Sequence, residues 1–153
     1  MDATIFCLKP LDEWLPKVTS AGLFMFRNTK NNISNWFIYT EKGHPIISRL
    51  LKKLTVYRTL NSNTSRYYIF HQLFKVMIRG NIRLKGLLDR MPKISSNNCH
   101  YLVSRNNGKL NSYNDVNPKF LAKIRDSQVF KLSRDIDNEQ ITKNSCLQYL
   151  YNL

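Results

Sequence analysis

Acidic residues are scarce in this chain. Ten Asp and Glu stand against twenty-four Lys and Arg in 153 residues, for a formal net charge of +14. Such a balance favours polyanionic partners: nucleic acid, phosphorylated ligands or an anionic membrane surface. Nine basic and four acidic residues lie up to Leu60, and fifteen and six lie beyond it. The excess is spread through the chain, as in a general steering field, and is not gathered into a tail. Cysteine is sparse too. Cys7, Cys99 and Cys146 are widely spaced and odd in number, which excludes a disulfide framework and a zinc motif and suits a reducing compartment, the cytoplasm. No apolar run approaches the roughly 18 residues of a membrane span, and the N-terminus lacks the basic-then-apolar order of a signal peptide. A Gly-rich phosphate loop, a paired-His metal helix and a serine elbow are all missing. The three histidines, His44, His71 and His100, lie far apart.

What the chain does contain is globular. A content of 42% hydrophobic, 12% aromatic and 22% charged residues excludes disordered, collagenous and disulfide-rich classes. Its length suits one domain, residues 1–153, able to bury roughly two-thirds of its unfolded surface. The pattern predicts mixed α/β structure, rich in helix with a few short strands. The opening reads as a strand broken by Pro10, followed by a polar turn with Asp12, Glu13 and Pro16. Gly22–Phe26 and Trp36–Tyr39 read as apolar strands. Pro45 opens a helix, with Ile46, Ile47, Leu50, Leu51, Leu54 and Tyr57 at three- and four-residue spacing and Arg49, Lys52, Lys53 and Arg58 on its wet face. A more buried helix runs from about Thr64 to Arg79 and ends at Gly80. A short amphipathic piece spans Ile82 to Met91. Ser95 to Asn117 is polar and reads as weakly structured. Asn117 and Pro118 cap and open a short helix through Ile124, Val129–Leu132 reads as a strand, and Asp137 caps a last helix carrying Ile141, Leu147, Leu150 and Tyr151.

Taken in order, four segments resemble one family. Asp2-Ala-Thr-Ile-Phe6 is similar to the stretch that follows a Gly-Gly-x-Trp-x turn in the capsular-polysaccharide-synthesis glycosyltransferases, which belong to the wider group of DXD-containing sugar transferases. Ile33-Ser-Asn-Trp-Phe-Ile-Tyr39 with Lys42-Gly-His-Pro-Ile-Ile47 resembles that family's strand-into-helix passage. Tyr67-Tyr-Ile-Phe-His-Gln-Leu-Phe74 resembles its aromatic helix with a central His. Phe130-Lys-Leu-Ser133, with Ser145-Cys-Leu-Gln-Tyr-Leu150 behind it, resembles the closing Lys-Leu strand and terminal helix. The resemblance implies a GT-A-like fold. In that family a nucleotide-binding half precedes the Asp-containing motif, and here Met1 falls immediately before Asp2. The expectation is therefore the C-terminal half of a transferase domain.

The resemblance also implies a site. Glycosyl transfer from a nucleotide sugar expels a diphosphate, whose charge a hard divalent cation, Mn²⁺ or Mg²⁺, offsets. Asp2 matches the first Asp of the DXD pattern and is the implied metal ligand. Thr4 stands where many relatives carry the second Asp, and a hydroxyl is a weaker ligand. Lys131 matches the closing lysine, whose ammonium pairs with diphosphate oxygens. His71 is implied as a hydrogen-bond donor to the donor substrate, Asn35 and Trp36 as acceptor-binding groups. Four of them have a plainer structural role: a frayed terminus for Asp2, a solvated strand lysine for Lys131, core packing for His71 and Trp36. Arg66 departs from the family, where an Asp precedes the paired tyrosines: as an acid–base or acceptor-orienting group that Asp has no substitute in an arginine, and as a helix cap it is replaceable by Thr64 or Ser65.

These readings lead to a sugar transferase of capsular or surface polysaccharide synthesis, using a nucleotide-sugar donor and a glycan or lipid-linked acceptor. Its expected place is the cytoplasm, with the inner face of the membrane an option for lipid-linked acceptors. Two alternatives come from other classes. One is a small basic nucleic-acid-binding module, which the charge favours and the helix-core spacing of the aromatics opposes. The other is a non-catalytic remnant that docks on a partner.

Overall fold

A computed structural model describes residues 4–27, 33–61 and 68–153. Asp2, Thr64, Ser65, Arg66 and Tyr67 lie outside the described residues. The architecture is mixed α/β: six α-helices and three small antiparallel sheets of two strands each among the described residues. None of these helices is long and apolar enough to cross a membrane. The chain divides into two compact units. One joins the residues up to Trp14 with Ser96–Leu153, and the other is Leu15–Ser95.

The first unit is closed by strand β1 (Ile5–Cys7), which pairs antiparallel with β6 (Val129–Lys131), Phe6 facing Phe130. Helix α1 (Leu11–Val18) carries the chain out of this unit. It corrects the turn expected around Asp12 and Pro16. Both acids sit in the first turn, where the helix dipole favours them, and Trp14 anchors the helix by burial. Pro16 forfeits one hydrogen bond, which a helix this short tolerates.

The stretch from Ser95 to Asn117 is also more ordered than its polarity predicts. Strands β4 (Arg105–Asn106) and β5 (Lys109–Leu110) form a hairpin whose two-residue turn, Asn107 and Gly108, has positive φ at both positions. That is the geometry an Asn-Gly pair adopts most readily. Cys99, Tyr101, Leu102, Leu110 and Tyr113 are buried around it. Helix α5 (Pro118–Asp126) starts as expected: the Asn117 side chain accepts from the Phe120 N–H at 3.0 Å and Pro118 takes the first turn. Phe120 stacks between Tyr101 and Phe130, with ring centroids 5.9 and 6.1 Å away. The closing helix is shorter than predicted. Asp137 caps only a 3-10 turn, Asn138–Gln140, and α6 spans Cys146–Tyr151 with Ser145 as its cap. The polar run Thr142–Asn144 turns the chain between them, with Ser145 N–H bonded to the Thr142 carbonyl at 3.0 Å.

The second unit pairs β2 (Leu23–Arg27) with β3 (Ile33–Thr40). Every residue of β2 is buried; Leu23–Phe26 is a continuous apolar run with no alternation, and Arg27 closes it. Helix α2 (Pro45–Leu60) begins at the expected proline and buries Ile46 and Leu50. Helix α3 (Ile69–Arg79) buries Phe74, Met77 and Ile78; the expected start near Thr64 falls outside the described residues. Helix α4 (Ile82–Arg90) is capped by Asn81, whose side chain accepts from the Leu84 N–H at 2.9 Å. The three helices share one core with Leu23, Met25 and Ile33.

Candidate functional site

In the first unit, the β1–β6 ladder brings opposite ends of the sequence together. Ile5 pairs with Lys131, and the Leu132 N–H donates to the Thr4 carbonyl at 2.8 Å, extending the ladder by one residue. Phe130 points into the core, so alternation along the strand turns Lys131 away from it, leaving it half-buried. The Lys131 ammonium donates to the Thr4 hydroxyl across 127 positions of sequence. Thr4 and Lys131, both expected in donor binding, thus stand together. Asp2, two positions before Thr4, lies outside the described residues.

Beside this pair is a residue the sequence reading passed over. His100 is half-buried, and its Nδ1 lies 3.0 Å from the Ser96 carbonyl. A carbonyl only accepts, so Nδ1 carries the proton and Nε2 is the basic nitrogen. Burial holds the imidazole below its ordinary pKa; the Ser96 bond opposes this and the nearby Lys131 charge adds to it. The pattern is a neutral imidazole next to a fixed cation. Nothing in the local sequence marks His100, which sits in the stretch read as weakly structured. Among the described residues no three His, Cys, Asp or Glu gather to hold a metal ion. The Thr4 hydroxyl, which accepts from the Lys131 ammonium, is a poor second ligand for a metal ion.

The second unit carries a cleft of about 420 Å³. His71, Lys75 and Arg79 line one wall at four-residue steps along α3, so they share a face. Lys85 and Asp89 do the same on α4, and Lys93 completes the rim. Burial lowers the pKa of His71, so it contributes a neutral ring at pH 7. Arg27 lines the inner side. It is only 9% exposed; its Nη2 donates to the Leu88 carbonyl at 3.0 Å, and its buried Nε has no partner among the described residues. An unpaired buried donor costs about 1–3 kcal/mol. Burial lowers the pKa of Arg27, while the Asp89 charge opposes that shift.

His71 therefore occupies a basic cleft of one unit, while Thr4 and Lys131 belong to the other. Asn35 is exposed on β3. Trp36 is buried, 7% exposed, with its indole stacked on Phe26 at a centroid distance of 5.0 Å; in this structure it packs. Sequence reasoning missed Arg27 because it closes an apolar strand. Lys75 and Arg79, four apart on the His71 face, were the available signal.

The family model described as capsular polysaccharide synthesis protein matches residues 1–150. No curated protein and no solved structure matches the chain.

Proposed function

The chain belongs to the capsular polysaccharide synthesis protein family, and from that premise we propose that it serves capsule biosynthesis as a sugar transferase. In this reading the donor is a nucleoside diphosphate sugar and the acceptor a hydroxyl of a glycan or lipid-linked glycan. The fold would be GT-A-like, and the site would work in the cytoplasm or at the inner face of the membrane. The bond from the anomeric carbon to the diphosphate oxygen breaks and the nucleoside diphosphate leaves with its electron pair; a bond to the acceptor oxygen forms and the hydroxyl's proton passes to solvent.

One observation carries the proposal: the Lys131 ammonium is held by the Thr4 hydroxyl, within two residues of Asp2. A fixed cation at that point offsets the charge that builds on the departing diphosphate. An ammonium so placed can pair with the donor's diphosphate oxygens. A divalent cation, Mn²⁺ or Mg²⁺, belongs to the reading through Asp2 and supplies further charge neutralisation when bound.

Thermal melts of the chain with UDP, GDP or CMP, each with and without Mn²⁺, test the proposal. One nucleotide should raise the midpoint when metal is present, by about 2.7 kcal/mol of added stability at a hundredfold excess over its Kd. Lys131→Met should abolish that rise and leave the unliganded melt in place. A melt blind to every nucleotide overturns the reading.

A further inference from the structure

We propose that the cleft between α3 and α4 is a second anion site, built for the phosphate or diphosphate group of a small ligand. Its lining holds five permanent cations, Arg27, Lys75, Arg79, Lys85 and Lys93, against the single carboxylate of Asp89. None of the five forms an ion pair among the described residues. Cations gathered around a concave, partly apolar wall reinforce one another's field at its centre. That field is strongest for a compact dianion.

Arg27 makes this more than a basic surface. An arginine nine-tenths buried, bonded through Nη2 to a backbone carbonyl and left with an orphaned Nε–H, is a buried charge with no ion pair among the described residues, answered only by the field of Asp89. Folding normally avoids this arrangement. Here the buried cation lies against a cleft large enough for a ligand, and an oxyanion entering the cleft would supply a direct ion-pair partner. Arginine also presents its N–H groups in a plane matched to phosphate oxygens. Phe74, Ile78 and Leu88 give the same cleft apolar wall, as a site for a small organic phosphate requires. The volume lies within the range of roughly 300–1,000 Å³ typical of small-molecule sites, which favours a small ligand over a polymer. The lining includes neither Thr4 nor Lys131, so the site stands whether or not that pair binds a nucleotide sugar. A soluble phosphate ester and the diphosphate headgroup of a lipid-linked glycan share the chemistry it recognises.

Inorganic pyrophosphate, titrated into the full chain by calorimetry, is the first probe. Three variants accompany it: Lys75→Met with Arg79→Met, Arg27→Met, and Lys131→Met. The exposed pair on α3 can be changed without disturbing the core, and circular dichroism checks that. The expected result is a saturable site that the Lys75/Arg79 double variant and Arg27→Met each weaken at least about tenfold, and that Lys131→Met retains. Pyrophosphate should also raise the pKa of His71, followed by the ring resonances that His71→Gln removes. Unchanged affinity in the double variant overturns the proposal. Loss confined to Lys131→Met does so as well, since it assigns the anion to the donor pair. Vesicles of phosphatidylcholine with and without phosphatidic acid separate the sources: retention that depends on phosphatidic acid and on Lys75 and Arg79 identifies a headgroup, and its absence identifies a soluble ester. A single-stranded oligonucleotide that binds through the same residues at least about tenfold more tightly than pyrophosphate overturns the small-ligand assignment in favour of nucleic acid.

Discussion

Arg27 donates from Nη2 to the Leu88 carbonyl at 3.0 Å, tying the last residue of β2 to helix α4 across 61 positions of sequence. The same strand end is fixed through its backbone, with the Arg27 N–H bonded to the Ile94 carbonyl at 2.7 Å. Backbone and side chain therefore hold β2 to the segment around α4 by separate bonds.

That separation predicts the outcome of replacing the side chain. Arg27→Met keeps most of the buried volume, removes a desolvated charge and gives up one hydrogen bond. Urea unfolding should place it within about 1.5 kcal/mol of the parent. Arg27→Ala leaves the space empty and should lose about 2–4 kcal/mol. Equal losses in the two variants would mean that the hydrogen bond, and not the packing, holds this end of the strand.

Stability should fall on mild acidification. His44, His71 and His100 are all held below the ordinary imidazole value of 6.5, with burial the leading cause in each. The unfolded chain therefore takes up protons first. The stabilisation is complete above about pH 6.5 and is lost as the pH drops through the lower folded values. The melting midpoint should be level just above neutrality and decline toward pH 5, less steeply in His71→Gln. A midpoint that rises over that interval contradicts the assignment.

The cysteines should separate by reactivity. Burial pushes the thiol of Cys99 up to about 12 and that of Cys146 up to about 11, whereas Cys7 is exposed. At about pH 8 a disulfide reagent should modify one thiol per native chain promptly, and Cys7→Ser should remove that reaction. Unfolding in guanidinium should release all three. Prompt reaction of two or three thiols in the native chain would show that the cores around Cys99 and Cys146 open readily.

Legibility in the sequence followed the range of the interaction. Helix α2 was visible because Pro45 and the spacing from Ile46 to Leu54 are local signals, and β2 and β3 because their apolar runs are short and bounded. The β4–β5 hairpin was not, since strands of two residues show no alternation; only Asn107-Gly108 announced it. Pro16 masked α1 because its cost was read without the offsetting burial of Trp14. Thr4 and Lys131 could each be singled out, but their contact depends on pairing strands 127 residues apart. The cleft was hidden for the same reason: its cations come from β2, α3, α4 and the segment beyond, and no window of sequence contains them together.

One local signal gives a clean quantitative test. The Asn117 side chain accepts from the Phe120 N–H at 3.0 Å, satisfying a donor at the start of α5 that no helical carbonyl can reach. Asn117→Ala should cost about 1 kcal/mol by chemical denaturation, and Asn117→Asp should recover most of it. An aspartate variant no better than alanine would mean that solvent, and not the side chain, satisfies that donor.

The pairing of β1 with β6 also sets a timetable for synthesis. The strand partner of residues 5–7 is residues 129–131, and at 5–20 residues per second it leaves the ribosome roughly 6–25 s after them. All partners within Leu15–Ser95 emerge during that wait. The nascent chain therefore has its middle complete while its first strand, with Phe6 on it, still lacks the edge it will occupy. A chaperone that holds extended apolar segments would find its binding opportunity there. Slowing translation after Ser95 should lengthen that exposure without altering the finished fold.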